Sequence, residues 1–258
     1  MKKMVKKAYW MLSAQFGLDL RRMARSLKGV PKYFEDWLSF RRLYKGRLNF
    51  LPCLHDRYEE GGSTKDEYFL QDLHVARQIY LANPEKHIDI GSRIDGFVAH
   101  VASFREIEVF DIRPINSSIP GIIFKQADLM NLSTSLHGCC DSLSCLHALE
   151  HFGLGRYGDP IDPSGYASGL ANMAKALRPA GFYYLSVPVG QPCVEFNAHR
   201  IFDPVELVRL AAANGLLLAR FAWVGSTQTL RESLNPERDM DKLSRLDYTL
   251  GIFTFIKQ

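Results

Sequence analysis

The 258-residue sequence has no long uninterrupted apolar segment. A membrane-spanning helix needs about 20 predominantly apolar residues, and no run of even about 18 is present. The sequence therefore predicts no segment that crosses a bilayer. Hydrophobic residues still make up 47% of the chain, which is enough for one α/β domain with a substantial core and an N-terminal extension.

Cysteine is scarce and shows no pairing pattern. The chain has five cysteines, an odd number, and no Cys-x-x-Cys pair, although Cys139 and Cys140 are neighbours. A secreted disulfide framework or a structural metal site usually shows an even number or a repeated spacing. The sequence therefore predicts reduced cysteines, no metal site and a cytoplasmic location.

An excess of charge of one sign is also missing. The formal net charge is only +4, and a charge of this size gives no indication of a nucleic-acid partner. The basic residues that produce it crowd together near the N-terminus: Lys2, Lys3, Lys6, Lys7, Arg21, Arg22, Arg25 and Lys28.

Residues 1–65 are predicted to form a helical and irregular extension, and residues 66–258 the main domain. Val5, Tyr9, Leu12 and Phe16 recur at near-helical spacing, which predicts an amphipathic helix within residues 1–28. We favour a packing or lid helix with a solvated basic face. Peripheral contact with a membrane surface through this basic helix is the alternative. Residues 29–62 are rich in aromatic residues and are expected to be irregular.

The most informative stretch lies between residues 87 and 129. A short apolar run ends at Asp89 and a glycine turn, a helix-compatible segment over 96–103 follows, and a second β-rich run ends at Asp111. The 22 positions from Asp89 to Asp111 are close to the roughly 20 expected between a nucleotide-binding glycine turn and its ribose-binding acid. A third β-rich run ends at Asp128. The pattern predicts strand, turn, helix and strand, with three acids at strand ends.

These three acids with their glycine turn resemble the class I S-adenosylmethionine-dependent methyltransferases. The resemblance implies an α/β, Rossmann-like fold with a seven-stranded, mostly parallel sheet whose last strand is antiparallel. It assigns the methionine end of S-adenosylmethionine to Asp89 and Gly91, the ribose to Asp111, and the adenine to Asp128 and the Leu129 backbone. The full set of predicted cofactor-binding residues is Asp89, Gly91, Ser92, Arg93, Gly96, Asp111, Ile112, Asp128, Leu129 and Leu146.

The turn departs from the family pattern, which has glycines two and four residues after the first acid. Here Gly91 is followed by Arg93, and the next glycine is Gly96. Arg93 would either crowd the place of the methionine carboxylate or pair with that carboxylate. The sequence leaves both alternatives open.

The remaining periodic segments agree with this architecture over residues 66–258. Helices are predicted over 66–81 and 164–177 and from a capping Asp203 to Asn214, and strands over 141–146, 182–187, 216–224 and 248–256. The last two strands surround a charged insertion at 226–247.

His147, Glu150 and His151 follow the fourth predicted strand, at the sheet end where open α/β sheets bind ligands. A histidine there can remove a proton from an acceptor hydroxyl. We predict His151 as the base and His147 as the second choice, with a purely structural turn as the alternative. The same residues spell His-x-x-Glu-His, an inverted zinc-protease motif. That hypothesis needs one continuous helix and a third ligand, and glycines follow at Gly153 and Gly155.

The string from Gly153 to Pro160 is unusually specific. With 67–73 and 89–97 it resembles an uncharacterised methyltransferase-like family of bacteria and nematodes, classed as a domain of unknown function. The resemblance implies the fold without a substrate. Arg156 is suited to an anionic acceptor or the cofactor carboxylate, although a plain surface turn is equally compatible. Candidate substrate residues are Arg156, Tyr157, His199 and Arg200.

The leading hypothesis is a methyltransferase that acts on a hydroxyl of a small molecule or a glycan. Nucleobase acceptors are disfavoured, because Cys145, Leu146, His147 and Ala148 stand where DNA amino methyltransferases carry an Asn/Asp-Pro-Pro-aromatic motif. The alternatives are a non-catalytic protein that binds S-adenosylmethionine or acts as a scaffold and, as a minor one, a zinc hydrolase. The acceptor and the oligomeric state stay open.

Overall fold

The computed structural model describes Val5, residues 8–62, Thr64, and residues 66–225 and 227–258. Lys2, Lys3, Lys6 and Lys7 of the predicted basic helix lie outside the described residues. The chain divides into two compact units, Met1–Ser63 and Thr64–Gln258. No helix in the described part combines the length and apolarity that crossing a bilayer requires.

The first unit is more helical than predicted. A π-helical turn covers Met11–Gln15, and after a break at Gly17 helix α1 covers Leu20–Leu43. The prediction that the chain becomes irregular from residue 29 is wrong, because α1 continues through Gly29 and Pro31. A Cβ at Gly29 would lie 2.0 Å from the Leu54 carbonyl oxygen, so this glycine serves a close backbone approach rather than ending a helix.

The second unit is built from alternating strands and helices. Its helices are α2 (Glu67–Ala82), α3 (Ala99–Ala102), α4 (Gly165–Ala176), α5 (Pro204–Ala213) and α6 (Pro236–Leu243). Its strands are β1 (His87–Ile90), β2 (Ile107–Asp111), β3 (Ile122–Gln126), β4 (Cys140–Leu146), β5 (Leu177–Val189), β6 (Cys193–Glu195), β7 (His199–Ile201), β8 (Leu216–Val224), β9 (Leu230–Glu232) and β10 (Thr249–Lys257).

Eight of these strands form one sheet in the order β3-β2-β1-β4-β5-β10-β8-β9. The pairs among β3, β2, β1, β4 and β5 are parallel, and β10 is antiparallel to both of its neighbours. The predicted mostly parallel sheet with an antiparallel last strand is confirmed. The count is eight rather than seven because the 226–247 insertion adds β9, whose three residues are too few to give a periodic signal.

The local start signals explain where helices begin. Asp66 accepts a hydrogen bond from the Tyr68 backbone N–H and precedes α2, while Asp203 accepts from Val205 and Glu206 and precedes α5. The predicted helix over 96–103 is instead a π-type turn, Ile94–Val98, that leads into the short helix α3. Gly96 has non-helical backbone angles and explains the interruption.

Helices cover both faces of the sheet. On one face Leu143, Leu185 and Phe253 pack in the same core as Leu170 of α4 and Leu207 of α5. On the other face, Val109 and Ile252 share a core with Val75 and Ile79 of α2 and Val101 of α3. Burial of both faces explains why the parallel strands read as continuous apolar runs. The loops after β1, β2, β3 and β4 consequently meet at one edge, where such sheets bind ligands.

Candidate active site

A pocket with about 520 Å³ of empty space, counting open solvent, lies at this edge of the sheet. Its lining combines apolar side chains with three carboxylates, an arginine and two histidines. Its lining comprises Ile90, Gly91, Phe110, Asp111, Ile112, Arg113, Ala127, Asp128, Leu129, Met130, His147, Ala148, His151, Phe152, Tyr157 and Asp159. Several predicted cofactor residues and both predicted catalytic histidines therefore line the same pocket.

Asp111, at the end of β2, contributes a carboxylate that is already engaged. Its Oδ1 accepts hydrogen bonds from the Arg113 backbone N–H over 2.8 Å and from Arg113 Nε over 3.0 Å, and its Oδ2 accepts from Arg113 Nη2 over 2.6 Å. The hydrogen bond to Asp111 raises the pKa of the Arg113 guanidinium. Both oxygens predicted to hold a ribose are thus held by a neighbouring side chain.

Asp128 begins the short 3₁₀ turn Leu129–Asn131. Its carboxylate accepts from the Met130 backbone N–H over 2.9 Å and from Asn131 Nδ2 over 2.8 Å. Because Asp128 and Leu129 both line the pocket, the carboxylate and a turn backbone lie where the resemblance places the adenine.

Asp89 lies behind the lining rather than in it. It is fully buried, and its carboxylate accepts from the Ser92 backbone N–H over 3.0 Å, from Ser92 Oγ over 2.6 Å and from Ser144 Oγ over 2.5 Å. Burial raises the pKa of Asp89 to about 6, against the effect of these hydrogen bonds. Ser92 Oγ in turn accepts from the Leu146 backbone N–H over 3.1 Å. Asp89, Ser92 and Leu146 thus tie the β1 turn to β4, and their contact with a cofactor stays a prediction.

Gly91 is the part of this turn that lines the pocket. Its φ is +67°, and a Cβ there would lie 3.1 Å from Ala148 Cβ. A side chain would be strained and would narrow the gap between the turns after β1 and β4. Glycine at this position therefore keeps the pocket open.

Arg93 and Gly96 lie outside the pocket lining. Arg93 pairs with Asp95 over 2.9 Å, and its guanidinium lies 5.5 Å from the centre of the Tyr68 ring. A Cβ at Gly96 would lie 2.7 Å from Asp72 Oδ2, so glycine allows the buried Asp72 to approach. The roles of both residues toward a cofactor stay predictions.

His147, Glu150 and His151 form a compact group after β4. Glu150 is buried at 1% exposure, its Oε1 lies 2.8 Å from His147 Nδ1, and the same oxygen lies 3.8 Å from His151 Nε2. Both histidines line the pocket, and the carboxylate lies between them. The arrangement can hold one proton or pass it along.

The two histidines differ in their proton affinity. Burial alone would lower the pKa of His147, but the hydrogen bond and negative charge of Glu150 outweigh it and raise the pKa. Burial lowers the pKa of His151, and the nearby Arg156 charge adds to that effect against the attraction of Glu150. Burial would raise the pKa of Glu150, but His147 lowers it. Near neutral pH, His151 is therefore the histidine free to accept a proton.

A second group surrounds His147 from the start of α2 and the start of β10. Glu67 Oε1 lies 3.7 Å from His147 Nε2, and the Tyr68 ring stacks on the imidazole at 4.4 Å. Tyr248 donates its hydroxyl hydrogen to Glu67. His147 Nε2 and Glu150 Oε2 are buried without a hydrogen-bond partner among the described residues. Two polar atoms of this group are therefore unsatisfied inside the described part of the protein.

The loop that follows has a defined shape. Asp159 accepts hydrogen bonds from the backbone N–H groups of Gly155 over 3.0 Å and Tyr157 over 3.1 Å. Tyr157 lines the pocket, and its ring lies 5.5 Å from that of His151. Arg156 donates to the Ala198 carbonyl oxygen over 2.7 Å and does not line the pocket.

Arg200 and His199 do not line the pocket either. Arg200 is buried at 5% exposure and donates to the carbonyl oxygens of Phe152 over 2.5 Å and Pro163 over 3.3 Å. It therefore binds the two ends of the 153–163 loop together. The half-buried His199 ring lies 6.1 Å from that of Tyr248. Of the four candidate substrate residues only Tyr157 faces the pocket, and all four assignments stay predictions.

Sequence comparison places the chain in a family. Residues 118–249 match the model of DUF268, described as a Caenorhabditis protein of unknown function. The chain belongs to the DUF268 family. No curated protein matches it at a significant level.

Solved structures with similar folds carry different activities. The 1,6-didemethyltoxoflavin-N1-methyltransferase of Burkholderia thailandensis, crystallised with S-adenosylhomocysteine, is 16% identical with a TM-score of 0.51, over 74% of this chain and 79% of that one. A possible histamine N-methyltransferase of Thermotoga maritima is 13% identical with a TM-score of 0.51, over 79% and 96%. The [4+2]-cyclase SpnF is 15% identical with a TM-score of 0.52, over 73% and 80%. At these identities the likeness shows the fold alone, which is that of class I methyltransferases.

In this DUF268 protein the His-x-x-Glu-His string does not form the helix that a zinc protease needs. Leu149–His151 is a 3₁₀ turn, and His147 has a φ of +52° before it. A zinc site of this type needs both histidines on one face of a helix, whereas here the Glu150 carboxylate lies between them. Within the described ranges, the group of three or more side chains spaced for a metal ion is His55, Asp56 and Glu59 of the first unit.

Sequence reasoning missed Arg113, Glu67 and Tyr248. A signal for Arg113 was present, because a cation two residues after a strand-end acid can fold back onto that acid. Glu67 is the first residue of a helix predicted from its cap, and nothing in the sequence indicates which loop that helix faces. Tyr248 is separated from Glu67 by 181 positions, and only the sheet order brings them together.

Proposed function

We propose that this DUF268 protein is an S-adenosylmethionine-dependent methyltransferase whose acceptor is a hydroxyl group of a small molecule or a glycan. The observation that carries the proposal is the single pocket that runs from Asp111 and Asp128 to His147 and His151. Candidate nucleoside-binding carboxylates and a candidate base line this same pocket, which supports a transfer between two bound molecules.

The lining fits the proposed cofactor. Ile90, Phe110 and Ile112 offer apolar surface to a planar base, and Asp128 with the Leu129 backbone offers hydrogen bonds to its edge. Asp111 can accept hydrogen bonds from two ribose hydroxyls once the Arg113 guanidinium moves away from its carboxylate. Gly91 leaves room for the methionine end. S-adenosylmethionine, when bound, supplies an electrophilic methyl group on a sulfonium.

The chain's own contribution is positioning and proton removal. His151, neutral near pH 7 because burial lowers its pKa, accepts the proton of the acceptor hydroxyl. Glu150 holds His147 through Nδ1 and offsets positive charge that develops on His151. Tyr157 and Phe152 exclude water from that end of the pocket.

A non-catalytic protein that binds S-adenosylmethionine is the second candidate. A [4+2]-cyclase shares this fold, so the fold does not by itself imply methyl transfer. Such a non-catalytic protein would bind S-adenosylmethionine but transfer no methyl group.

We further propose a cytoplasmic protein with an N-terminal extension at residues 1–65 and a methyltransferase-like domain at residues 66–258. The support is that all five cysteines are free, as a reducing compartment would keep them. Contact of the N-terminal basic helix with a membrane surface is kept as a proposal. Flotation of the full chain with anionic vesicles tests it, and a protein that stays at the bottom of the gradient at low salt excludes it.

Calorimetry on the full chain tests the cofactor. We expect S-adenosylmethionine and S-adenosylhomocysteine to bind, and Asp111→Ala to weaken both at least about tenfold. Asp241→Ala is the matched control, because Asp241 is also paired with an arginine, Arg245, but lies outside the pocket. Absence of binding to either molecule would remove both candidate functions. Transfer of a labelled methyl group to a panel of small alcohols and oligosaccharides then separates enzyme from binding protein.

A further inference from the structure

Arg113 contacts both walls of the pocket at once. Its guanidinium holds both oxygens of Asp111, at the end of β2, and lies 4.2 Å from the centre of the Tyr157 ring, in the loop after β4. All three residues line the pocket. Arg113 therefore links the end of β2 to the loop after β4.

Tyr157 is held from several sides. Arg156 lies 5.1 Å from its ring, His151 meets the ring edge-on, and Asp159 accepts its backbone N–H. The contact with Arg113 is the one that reaches across to β2. Removal of the Arg113 guanidinium therefore breaks the contact between β2 and the 153–163 loop, whereas the hydrogen bonds from Gly155 and Tyr157 to Asp159 within the loop remain.

We propose that Arg113 determines which ligands bind in this pocket, by competing with vicinal ribose hydroxyls for Asp111 while it holds Tyr157 of the 153–163 loop against the end of β2. The inference rests on the proposed function in that it takes the ligand to be a nucleoside. A pair of adjacent hydroxyls is the group that can replace the two guanidinium donors on both carboxylate oxygens.

Arg113, once displaced from Asp111, keeps the ring of Tyr157 as a neighbour. Occupancy of Asp111 and the position of the loop are thereby coupled.

Binding by matched nucleosides tests the competition. Calorimetry would compare S-adenosylhomocysteine, adenosine and 2′,3′-dideoxyadenosine on wild type and on Arg113→Ala. We expect the variant to bind the first two about two- to fivefold more tightly, the range given by loss of one partly exposed ion pair, and the dideoxy compound with unchanged affinity. Equal or weaker binding of the two hydroxylated ligands overturns the proposal.

Lys125→Ala is the matched control. Lys125 also pairs with a carboxylate, Glu108 over 2.9 Å, and also lies over an aromatic ring, Phe110 at 5.6 Å, but it does not line the pocket. It should change none of the three affinities. A tightening of the same size in this variant would mean that general charge, rather than the contact with Asp111, controls binding.

A readout without ligand tests the contact with the loop. Limited digestion with trypsin, followed by mass spectrometry, measures cleavage after Arg156. We expect Arg113→Ala to accelerate this cleavage at least about threefold and Lys125→Ala to leave it unchanged. Unchanged cleavage in Arg113→Ala overturns the role of Arg113 at the loop even if the protein is a methyltransferase. Accelerated cleavage in a protein that binds no nucleoside leaves that role in place and removes the proposed function.

Discussion

Tyr248 donates its phenolic hydrogen to Glu67 Oε1 over 2.5 Å and so joins the start of β10 to the first turn of α2. Burial and the charge of Glu67 raise the pKa of Tyr248 well above its usual range, so the hydroxyl stays protonated and remains a donor. Because Glu67 also lies 3.7 Å from His147 Nε2, the bond fixes a carboxylate beside the candidate active site.

Tyr248→Phe should lower the melting temperature by about 2–4 °C. The change removes one charge-assisted hydrogen bond at a partly exposed site, worth about 1 kcal/mol, while the ring stays in place. Differential scanning calorimetry measures the shift. Tyr80→Phe is the control, since Tyr80 is 63% exposed and packs on Phe104 through its ring. Equal melting temperatures for the Tyr248 variant and wild type would show that the bond adds no stability.

Asp89→Asn should change how stability depends on pH. The folded state raises the pKa of Asp89 from 3.8 to about 6, so this carboxyl favours folding below its unfolded pKa and loses that contribution as pH rises through about 6. The unfolding free energy of wild type relative to Asp89→Asn should therefore fall by about 3 kcal/mol between pH 3 and pH 7. Urea unfolding at several pH values measures it, and a difference that is flat with pH would mean that Asp89 ionises normally.

Glu150→Gln should lower the pKa of His147. Burial alone lowers that pKa, and the hydrogen bond and charge of Glu150 are what raise it. The ion pair between Glu150 and His147 should therefore stabilise the folded state within a pH window. This stabilisation is lost as pH falls through the lowered pKa of Glu150 and as pH rises through the raised pKa of His147. NMR titration of the His147 ring measures the first effect and thermal melts over pH 4–9 the second. Glu237→Gln, on the exposed side of α6, should change neither.

His151→Ala should retain binding of S-adenosylhomocysteine and lose about 10²–10⁴-fold in the rate of methyl transfer to a hydroxyl acceptor. Since burial lowers the pKa of His151, kcat should rise with pH only below the usual histidine value of 6.5 and be flat near pH 7. An inflection above 6.5 would instead indicate His147, whose pKa is raised. Unchanged turnover in the variant would exclude His151 as the base.

The fold was predictable because its signals are local. The periodicity of α2, the cap at Asp203 and the apolar runs of β1, β2 and β4 each lie within a window of about a dozen residues. Two elements were not predicted. Strand β9 is too short to show a period. Helix α1 continues through Gly29, a residue that usually ends a helix but is needed here because the Leu54 backbone approaches closely.

The candidate site was predictable only in part, because its contacts are long-range or compete with one another. Asp89 and Asp128 were found as strand-end acids, but one is buried behind the turn and the other lines the pocket. Asp89 lies inside β1, where Ser92 and Ser144 donate hydrogen bonds to its carboxylate, whereas Asp128 lies two positions after the end of β3. Arg200 was predicted as a substrate residue, whereas its guanidinium donates to loop carbonyl oxygens.

Gly153→Ala should destabilise the protein much more than Gly158→Ala. Both glycines have positive φ, +74° and +85°, so both substitutions carry a backbone strain of about 1 kcal/mol. A Cβ at Gly153 would in addition lie 1.9 Å from the Asp162 carbonyl oxygen, whereas one at Gly158 would meet nothing within 4 Å. The Asp162 backbone N–H also donates a hydrogen bond to the Gly153 carbonyl oxygen, so the clash must separate the two ends of the 153–163 loop. We expect a melting temperature about 2–4 °C lower for Gly158→Ala and a drop at least twice as large for Gly153→Ala, with weaker binding of S-adenosylhomocysteine only in the latter. Similar drops for the two variants would show that strain at the glycine, and not the approach of Asp162, governs this loop.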